Sequence, residues 1–263
     1  MMFKSSAITH VGMVRELNED AFLERSDIGV WAVADGMGGH VAGDVASKAV
    51  TDAIKKLQAE PEFTELVAAT KHCLQAANQQ LREQASNYEG DRVPGSTVAA
   101  LVINGRQGAV VWAGDSRIYR HANQQLVQLT RDHSHVQELV DQGLLKPEDA
   151  ESHPMANVIT RAIGIFDELD LSVQLFDVNT GDQFLLCSDG LSRMVSDPEI
   201  ETIMANKNPK DTIQSLLHTA LVRGAPDNVT LICLHDGDIK AAEDKENEEN
   251  DESTIVFPGF SPN

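Results

Sequence analysis

Residues 98–113 read Val98-Ala99-Ala100-Leu101-Val102-Ile103-Asn104-Gly105-Arg106-Gln107-Gly108-Ala109-Val110-Val111-Trp112-Ala113. The two apolar runs, 98–103 and 109–113, each have the length of a buried β-strand. The link between them, 104–108, is too short for the crossover that joins parallel strands. The stretch therefore predicts an antiparallel hairpin, and two more strand-like segments with short links follow it before residue 129.

Strand and helix patterns alternate through the rest of the first 235 residues. Short apolar runs at 29–34, 184–187 and 229–234 predict further buried strands. Apolar residues recur at helical spacing through 42–57 and 66–81, the second stretch following Pro61. Later helices are predicted at 133–142, 198–205 and 210–222. Because the helices fall in pairs between groups of antiparallel strands, the predicted fold class is α+β.

The composition limits the function classes. The chain has 263 residues, of which 41% are apolar and 24% charged, as in an ordinary globular protein. Its net charge of −20 opposes nucleic acids and anionic membranes, but it suits cations. The longest apolar run, 98–103, is far too short to span a bilayer. Three cysteines without a CxxC pair, and no signal-peptide pattern, predict a reduced, cytoplasmic protein.

The composition changes once, near residue 236. Between 236 and 252 there are nine acidic residues against two lysines, and no aromatic residue. Such a segment buries too little apolar surface to offset the entropy lost on ordering. We therefore predict a catalytic domain at 1–236 and a flexible acidic tail at 237–263. Thr254, which follows acidic residues and precedes Phe257, is a candidate phosphorylation site in that tail.

Acidic side chains stand at the ends of several predicted strands. A single Asp-Gly or Asp-Asn pair is usually a turn or a helix cap. Five such clusters, each beside a strand, predict instead that several carboxylates converge at one end of the sheets. Converging carboxylates repel unless they bind protons or a cation, and hard oxygen ligands prefer Mg²⁺ or Mn²⁺. The clusters are 18–20, 35–36, 114–116, 188–190 and 226–228.

The glycine-rich stretch 35–43 is not a nucleotide-binding loop. Gly38 and Gly43 have P-loop spacing, but Asp44-Val45 replaces the Lys and Ser/Thr that bind phosphate and Mg²⁺. The small residues would still let the backbone approach an ion closely. Cys187 lies inside an apolar run, which indicates a packing role and not a covalent nucleophile.

The chain resembles the metal-dependent serine/threonine protein phosphatases, called PP2C or PPM, in their bacterial form. Each matching motif is weak alone, but they occur in the family's order between about residues 5 and 235. The best examples are Val33-Ala34-Asp35-Gly36-Met37-Gly38-Gly39-His40 and Cys187-Ser188-Asp189-Gly190-Leu191. The others are 12–20, 95–97, 113–117, 129–134, 160–164 and 227–230.

This resemblance implies a fold and a metal site. The fold would be two antiparallel β-sheets packed as a sandwich between helix pairs, with metals in a cleft at one end. Asp35 would bridge two Mn²⁺ or Mg²⁺ ions, with the Gly36 carbonyl beside it. Asp189 and Asp227 would complete the coordination of one ion.

The resemblance also implies the rest of the site. Glu19 and Asp20 would hold waters on or near the other ion. Asp115, together with Asp189, resembles a weaker third-metal site. Arg15 resembles the arginine that binds the substrate phosphate, a role that suits its planar fork of donors.

The implied reaction is in-line attack on phosphorus by a water that two divalent ions have acidified. The departing serine or threonine alkoxide needs a proton. In eukaryotic members a His follows Asp-Gly directly, whereas here that position is Met37. The donor is therefore left open between His40 and a metal-bound water.

The resemblance predicts a monomeric phosphatase that acts on phosphoserine and phosphothreonine in proteins and opposes a Ser/Thr kinase. Two alternatives stay open at this point. One is a phosphoprotein-binding module without turnover, although such a module usually lacks at least one metal carboxylate. The other is a metal-dependent hydrolase of small phosphoesters, which the sequence does not exclude.

Overall fold

The computed structural model describes residues 3–38, 41–85, 93–205 and 208–236. The predicted acidic tail, Thr254 and the candidate acid His40 lie outside the described residues. Eleven strands are found within those ranges: β1 Phe3–His10, β2 Asp20–Arg25, β3 Val30–Met37, β4 Gly95–Ser96, β5 Val98–Asn104, β6 Gln107–Ala113, β7 Arg117–Ala122, β8 Gln125–Gln128, β9 Ser172–Asp177, β10 Gln183–Cys187 and β11 Val229–Asp236. The α-helices there are α1 Val41–Lys55, α2 Phe63–Ala85, α3 His135–Asp141, α4 Asp189–Ser192, α5 Asp197–Met204 and α6 Pro209–Val222.

The strands form two antiparallel sheets, as the sequence predicts. Sheet A has the order β1-β11-β10-β7-β8, and sheet B has the order β2-β3-β5-β6-β9, with β4 beside β3. The hairpin at 98–113 is continuous from the pair Val98–Ala113 to the pair Asn104–Gln107. Its turn contains Gly105 at φ +61°, a left-handed conformation that costs glycine little.

Three apolar clusters show that the sheets are stacked between two helical layers. Alternation along β3 sends Trp31 and Val33 to the cluster between the sheets, where they pack with Phe184 and Ile232. The neighbouring β3 residues face α1 and α2 instead, among Val50, Ile54, Leu66 and Leu74. On the other side of sheet A, Leu185 and Leu231 pack against Ile200 and Leu216 of α5 and α6. The order helix–sheet–sheet–helix confirms the predicted sandwich.

Of the strands that the apolar pattern did not predict, β1, β2 and β9 are edge strands, and β4 is a two-residue strand beside β3. An edge strand has one neighbour and is partly in solvent, so its sequence need not be apolar. β9, for example, has four exposed and two half-buried residues and no buried one.

Two helix predictions differ from the structure in detail. The third helix begins at His135, not at 133, because the Ser134 side chain caps it by accepting a hydrogen bond from the Gln137 amide. The one-turn helix α4 was not predicted, since four residues are too few to show a periodicity. Within the described ranges, no helix combines the length and the apolar character that a membrane span requires.

Candidate active site

Five aspartates from both sheets point toward one end of the sandwich. Asp20 begins β2, where it is the register partner of Asp35 on β3. Asp115 follows β6, Asp189 follows β10 at the start of α4, and Asp227 lies just before β11. Asp35 is close enough to the other four for their charges to shift its pKa. The structure thus brings the predicted aspartates together.

Hydroxyl groups hold the first two aspartates. Ser188 Oγ donates to Asp20 Oδ2 at 2.8 Å, and it accepts the Thr230 amide proton at 3.0 Å. Thr97 Oγ1 accepts from the Asp35 amide at 3.0 Å, while the Thr97 amide donates to the Asp35 carbonyl at 2.8 Å. The Ser96 hydroxyl also donates to that carbonyl. The backbone of Asp35 is therefore fixed within the sheet while its carboxyl faces the cleft.

Glycines let the chain approach itself closely around Asp35. A Cβ atom on Gly36 would lie 2.1 Å from the Gly43 carbonyl oxygen. A Cβ atom on Gly43 would lie 2.3 Å from Glu19 Oε1, so the Glu19 side chain fills the space that glycine leaves. These two glycines therefore allow a backbone packing that a side chain at either position would prevent.

The loop 11–19 presents Arg15 at the edge of the cleft. Arg15 Nη2 is 2.9 Å from Asp227 Oδ2, and the pKa of Arg15 is raised by this hydrogen bond. The Asn228 side chain holds the loop, because it donates to the carbonyls of Val11 and Leu17 and accepts from the Glu19 amide. The base of the loop is thus ordered, whereas Arg15 itself is half in solvent.

Burial makes these carboxyl groups difficult to ionise. Burial raises the pKa of Asp20 to about 7, although hydrogen bonds from Thr230 and Ser188 favour its charged form. Burial, followed by the charge of Asp189, raises the pKa of Asp115 to about 7. The pKa of Asp35 lies well above its ordinary value because of burial and the charge of Asp20. Groups of this kind bind either protons or a cation.

The donor set fits divalent metal ions. Oxygen ligands of this kind suit Mg²⁺ and Mn²⁺. Asp20 Oδ1 and Asp115 Oδ1 are buried, and within the described ranges nothing hydrogen-bonds to them. In the same part of the chain, however, no three His, Cys, Asp or Glu side chains already form a group that would hold an ion. Arginines bind two of the aspartates instead, Arg15 on Asp227 and Arg193 on Asp189, so side-chain rotation has to precede coordination.

A cavity of about 330 Å³ opens beside Asp115 and Asp189. Its lining includes residues of α3 and of the segment 139–157, which resembles the variable flap beside the active site in this family. Arg117, held by Asp132, lies in its floor. Cys187 is fully buried, and burial raises its pKa to about 12, so it is no nucleophile for this cavity.

Comparison with known proteins agrees with this geometry. The model of the family "Protein phosphatase 2C" matches residues 13–242. The chain belongs to the protein phosphatase 2C family. It is 35% identical over 232 residues to the serine/threonine protein phosphatase PstP of Mycobacterium tuberculosis, a match that covers 88% of this chain and 45% of PstP. The chain therefore spans about half the length of that relative.

Other phosphatase 2C relatives match over nearly their whole length. Protein phosphatase PhpP of Streptococcus pneumoniae is 37% identical over 236 residues, covering 86% of this chain and 94% of PhpP. The structure of PppA, a regulatory component of T6SS in Pseudomonas aeruginosa, has 40% identity and a TM-score of 0.83, covering 89% and 97% of the two chains. The catalytic domain of PstP, solved with two manganese ions, has 34% identity and a TM-score of 0.78, again over 89% and 97%.

The phosphatase 2C motifs did not assign a role to several residues that the structure places at the site. They are Ser96, Thr97, Ser188, Arg193 and Asn228. Four of them lie inside the quoted motifs without an assigned role, whereas Arg193 lies outside the motifs and stands four residues after Asp189, the spacing of an ion pair on a helix. The others act across the fold, where sequence spacing carries no information.

Proposed function

We propose that the chain is a Mn²⁺- or Mg²⁺-dependent phosphatase of phosphoserine and phosphothreonine in proteins, and that it opposes a Ser/Thr kinase. The observation that carries the proposal is the convergence of Asp20, Asp35, Asp189 and Asp227 on one cleft, with Arg15 at its edge. The two manganese ions in the PstP catalytic domain support the same metal choice.

The carboxylates have distinct places in the proposed metal centre. Asp35, with the Gly36 carbonyl, would bind both ions, and Asp189 and Asp227 would complete one of them. When bound, such ions supply Lewis acidity and a water acidic enough to attack phosphorus near neutral pH. Glu19 and Asp20 would position waters around the other ion. Asp115, beside Asp189, would serve a weaker third ion.

Arg15 is the proposed phosphate ligand. Its guanidinium is half exposed and forms an ion pair with Asp227. A substrate phosphate would therefore compete with the Asp227 carboxylate for this guanidinium. Two parallel N–H donors match two phosphate oxygens, which lysine does not reproduce. Arg15→Lys should therefore keep the charge and still weaken substrate binding.

The proton donor for the leaving group is proposed as His40 or a water of the metal site. Substrates with leaving groups of different basicity distinguish these two donors. p-Nitrophenolate departs without protonation, whereas an alkoxide needs a proton. If His40 is the acid, His40→Ala slows hydrolysis of phosphothreonine peptide far more than that of p-nitrophenyl phosphate. Equal effects on both substrates assign the role to water.

The surface around Arg15 favours a protein substrate over a small phosphoester. Met13, Val14 and Leu17 are large apolar residues with 62%, 69% and 48% of their surface in solvent, although Asn228 holds the base of their loop. An apolar rim beside a phosphate-binding arginine suits the residues that flank a phosphorylated side chain. A phosphate-binding module without turnover is disfavoured because every carboxylate that the family motif requires is present.

The test compares Asp35→Asn and Asp227→Asn with the matched control Asp52→Asn, an exposed carboxylate on α1. We expect both site variants to lose Mn²⁺-dependent phosphate release from a phosphothreonine peptide, with unchanged circular dichroism. The control should keep full activity. Turnover by both site variants at the wild-type rate would refute the proposed function. The monomeric state and the cytoplasmic location stay predictions.

A further inference from the structure

Arg193 lies between two carboxylates that are far apart in the sequence. Its Nη2 atom is 2.5 Å from Asp189 Oδ2 and 3.7 Å from Asp115 Oδ2. Asp189 follows β10 of sheet A, whereas Asp115 follows β6 of sheet B. Asp115 lies in the link from β6 to β7, so the guanidinium pairs the end of β10 with the connection between the two sheets.

The backbone fixes Arg193 in this position. The Arg193 amide donates to the Asp189 carbonyl at 3.0 Å, which closes the single turn of α4 and places the two side chains on one face. Leu191, in the same turn, is fully buried in the cluster beneath α5 and α6. About a third of the Arg193 side chain is exposed, so its head group can leave without disturbing the core.

We propose that Arg193 is a built-in competitor of the third divalent ion, because its guanidinium occupies the space between Asp115 and Asp189 that this ion needs. This inference rests on the metal centre of the proposed function. A monovalent guanidinium neutralises only part of the charge on two carboxylates, and Asp115 Oδ1 has no hydrogen-bond partner in the described part of the chain. A third ion therefore binds only after Arg193 has been displaced, and its affinity is lowered by the free energy of that displacement.

The cavity next to the pair gives the displaced guanidinium a place. It is lined by Arg193 itself, by Gln137 of α3 and by Glu151 of the segment 139–157. Glu151 is exposed and acidic, so it offers an acceptor on the side away from the metal centre. Occupation of the third site would in this way move Arg193 toward the flap.

The experiment is a titration of the full chain with Mn²⁺ alone. Calorimetry measures the affinities, and native mass spectrometry counts the bound ions. We expect Arg193→Gln to bind the additional ion roughly tenfold or more tightly than the wild type, the scale of one charged hydrogen bond. Arg193→Lys, which replaces the planar fork of donors with a single point charge, should give an intermediate affinity. Arg25→Gln, which removes an arginine paired with Asp27 at the end of β2 opposite Asp20, is the matched control and should not differ from wild type.

The assignment of the ion to this position is tested with Asp115→Asn. Combined with Arg193→Gln, it should abolish the gained ion and leave the other two. If neither Arg193→Gln nor Arg193→Lys gains affinity over the wild type, the proposal is overturned. The proposed function is tested separately, by the binding of the first two ions and by phosphate release from Asp35→Asn. The failure of one proposal therefore does not imply the failure of the other.

Discussion

Ser188 donates a hydrogen bond of 2.8 Å to Asp20, although 168 residues separate them in the chain. The same hydroxyl accepts the Thr230 amide, so one serine joins β2 to the adjacent strands β10 and β11. The contact fixes the Oδ2 atom of Asp20, while the buried Oδ1 atom has no hydrogen-bond partner among the described residues. A metal-site carboxylate with one oxygen fixed and the other available is well placed to hold a ligand.

Ser188→Ala should destabilise the protein by about 1–3 kcal/mol, because Asp20 and the Thr230 amide each lose a buried partner. It should also weaken Mn²⁺ binding. Denaturant unfolding and calorimetry measure the two effects. Ser152→Ala, which removes an exposed hydroxyl that bonds only to the Asp149 carbonyl, is the control and should change neither. A fully stable Ser188→Ala protein would show that this hydrogen bond is dispensable.

The metal-free protein should lose stability as the pH rises from 6.5 to 8.5. Asp20 and Asp115 have pKa values of about 7 in the folded protein and ordinary values near 3.8 when unfolded. At a pH between these values the folded state binds more protons than the unfolded state. The stability that these protons contribute is lost as the pH rises through the folded pKa. Buried His133 and half-buried His235, whose pKa values desolvation lowers to about 4, add an opposite slope at lower pH.

Thermal unfolding across this pH range, with and without Mn²⁺, measures the effect. Mn²⁺ should raise the unfolding temperature more at pH 8.5 than at pH 6.5, since ions and protons compete for the same oxygens. Asp115→Asn should reduce the slope of the metal-free protein. A slope that is unchanged in this variant would contradict the assigned pKa of Asp115.

Val14→Asp should lower kcat/KM for a phosphothreonine peptide by about tenfold, the loss expected for one apolar contact. Hydrolysis of p-nitrophenyl phosphate should be unchanged, because that substrate does not extend past Arg15. Glu16→Gln changes a neighbouring exposed side chain and is the control. Equal losses on both substrates would mean that Val14 acts on Arg15 and not on the peptide.

Asn228→Asp should loosen the loop 11–19. The aspartate keeps an acceptor for the Glu19 amide, but it loses the donors to the Val11 and Leu17 carbonyls. Hydrogen exchange should accelerate at 11–19 and stay unchanged in the hairpin 98–113. KM for phosphopeptide should rise because Arg15 is less well placed. Unaltered exchange in the loop would show that Asn228 does not hold it.

Prediction from the sequence was reliable for elements whose burial is visible in the local pattern of apolar residues. The hairpin at 98–113, the central strands and the two long helices have apolar periodicities that directly reflect burial. The edge strands β1, β2 and β9 lack that pattern because one of their sides has no strand neighbour. Helix α4 is a single turn, so it has no periodicity to detect.

The acidic residues of the site were predicted by their type and their place at strand ends, and by their order in the family's motifs. Their neighbours were not. Ser188 and Asn228 matter because of atoms that lie 168 and more than 200 residues away in the chain. No spacing rule applies to such pairs.

The sequence by itself determined the antiparallel α+β class, the family, and the set of carboxylates available to a cation, since these depend on residue type and local periodicity. Only the tertiary structure decided that Ser188 fixes Asp20, that Asn228 holds the Arg15 loop, and that Arg193 lies between Asp115 and Asp189. The physical reason is that hydrogen bonds and ion pairs depend on ångström-scale distances. Those distances are set by strand register and by the packing of the two sheets.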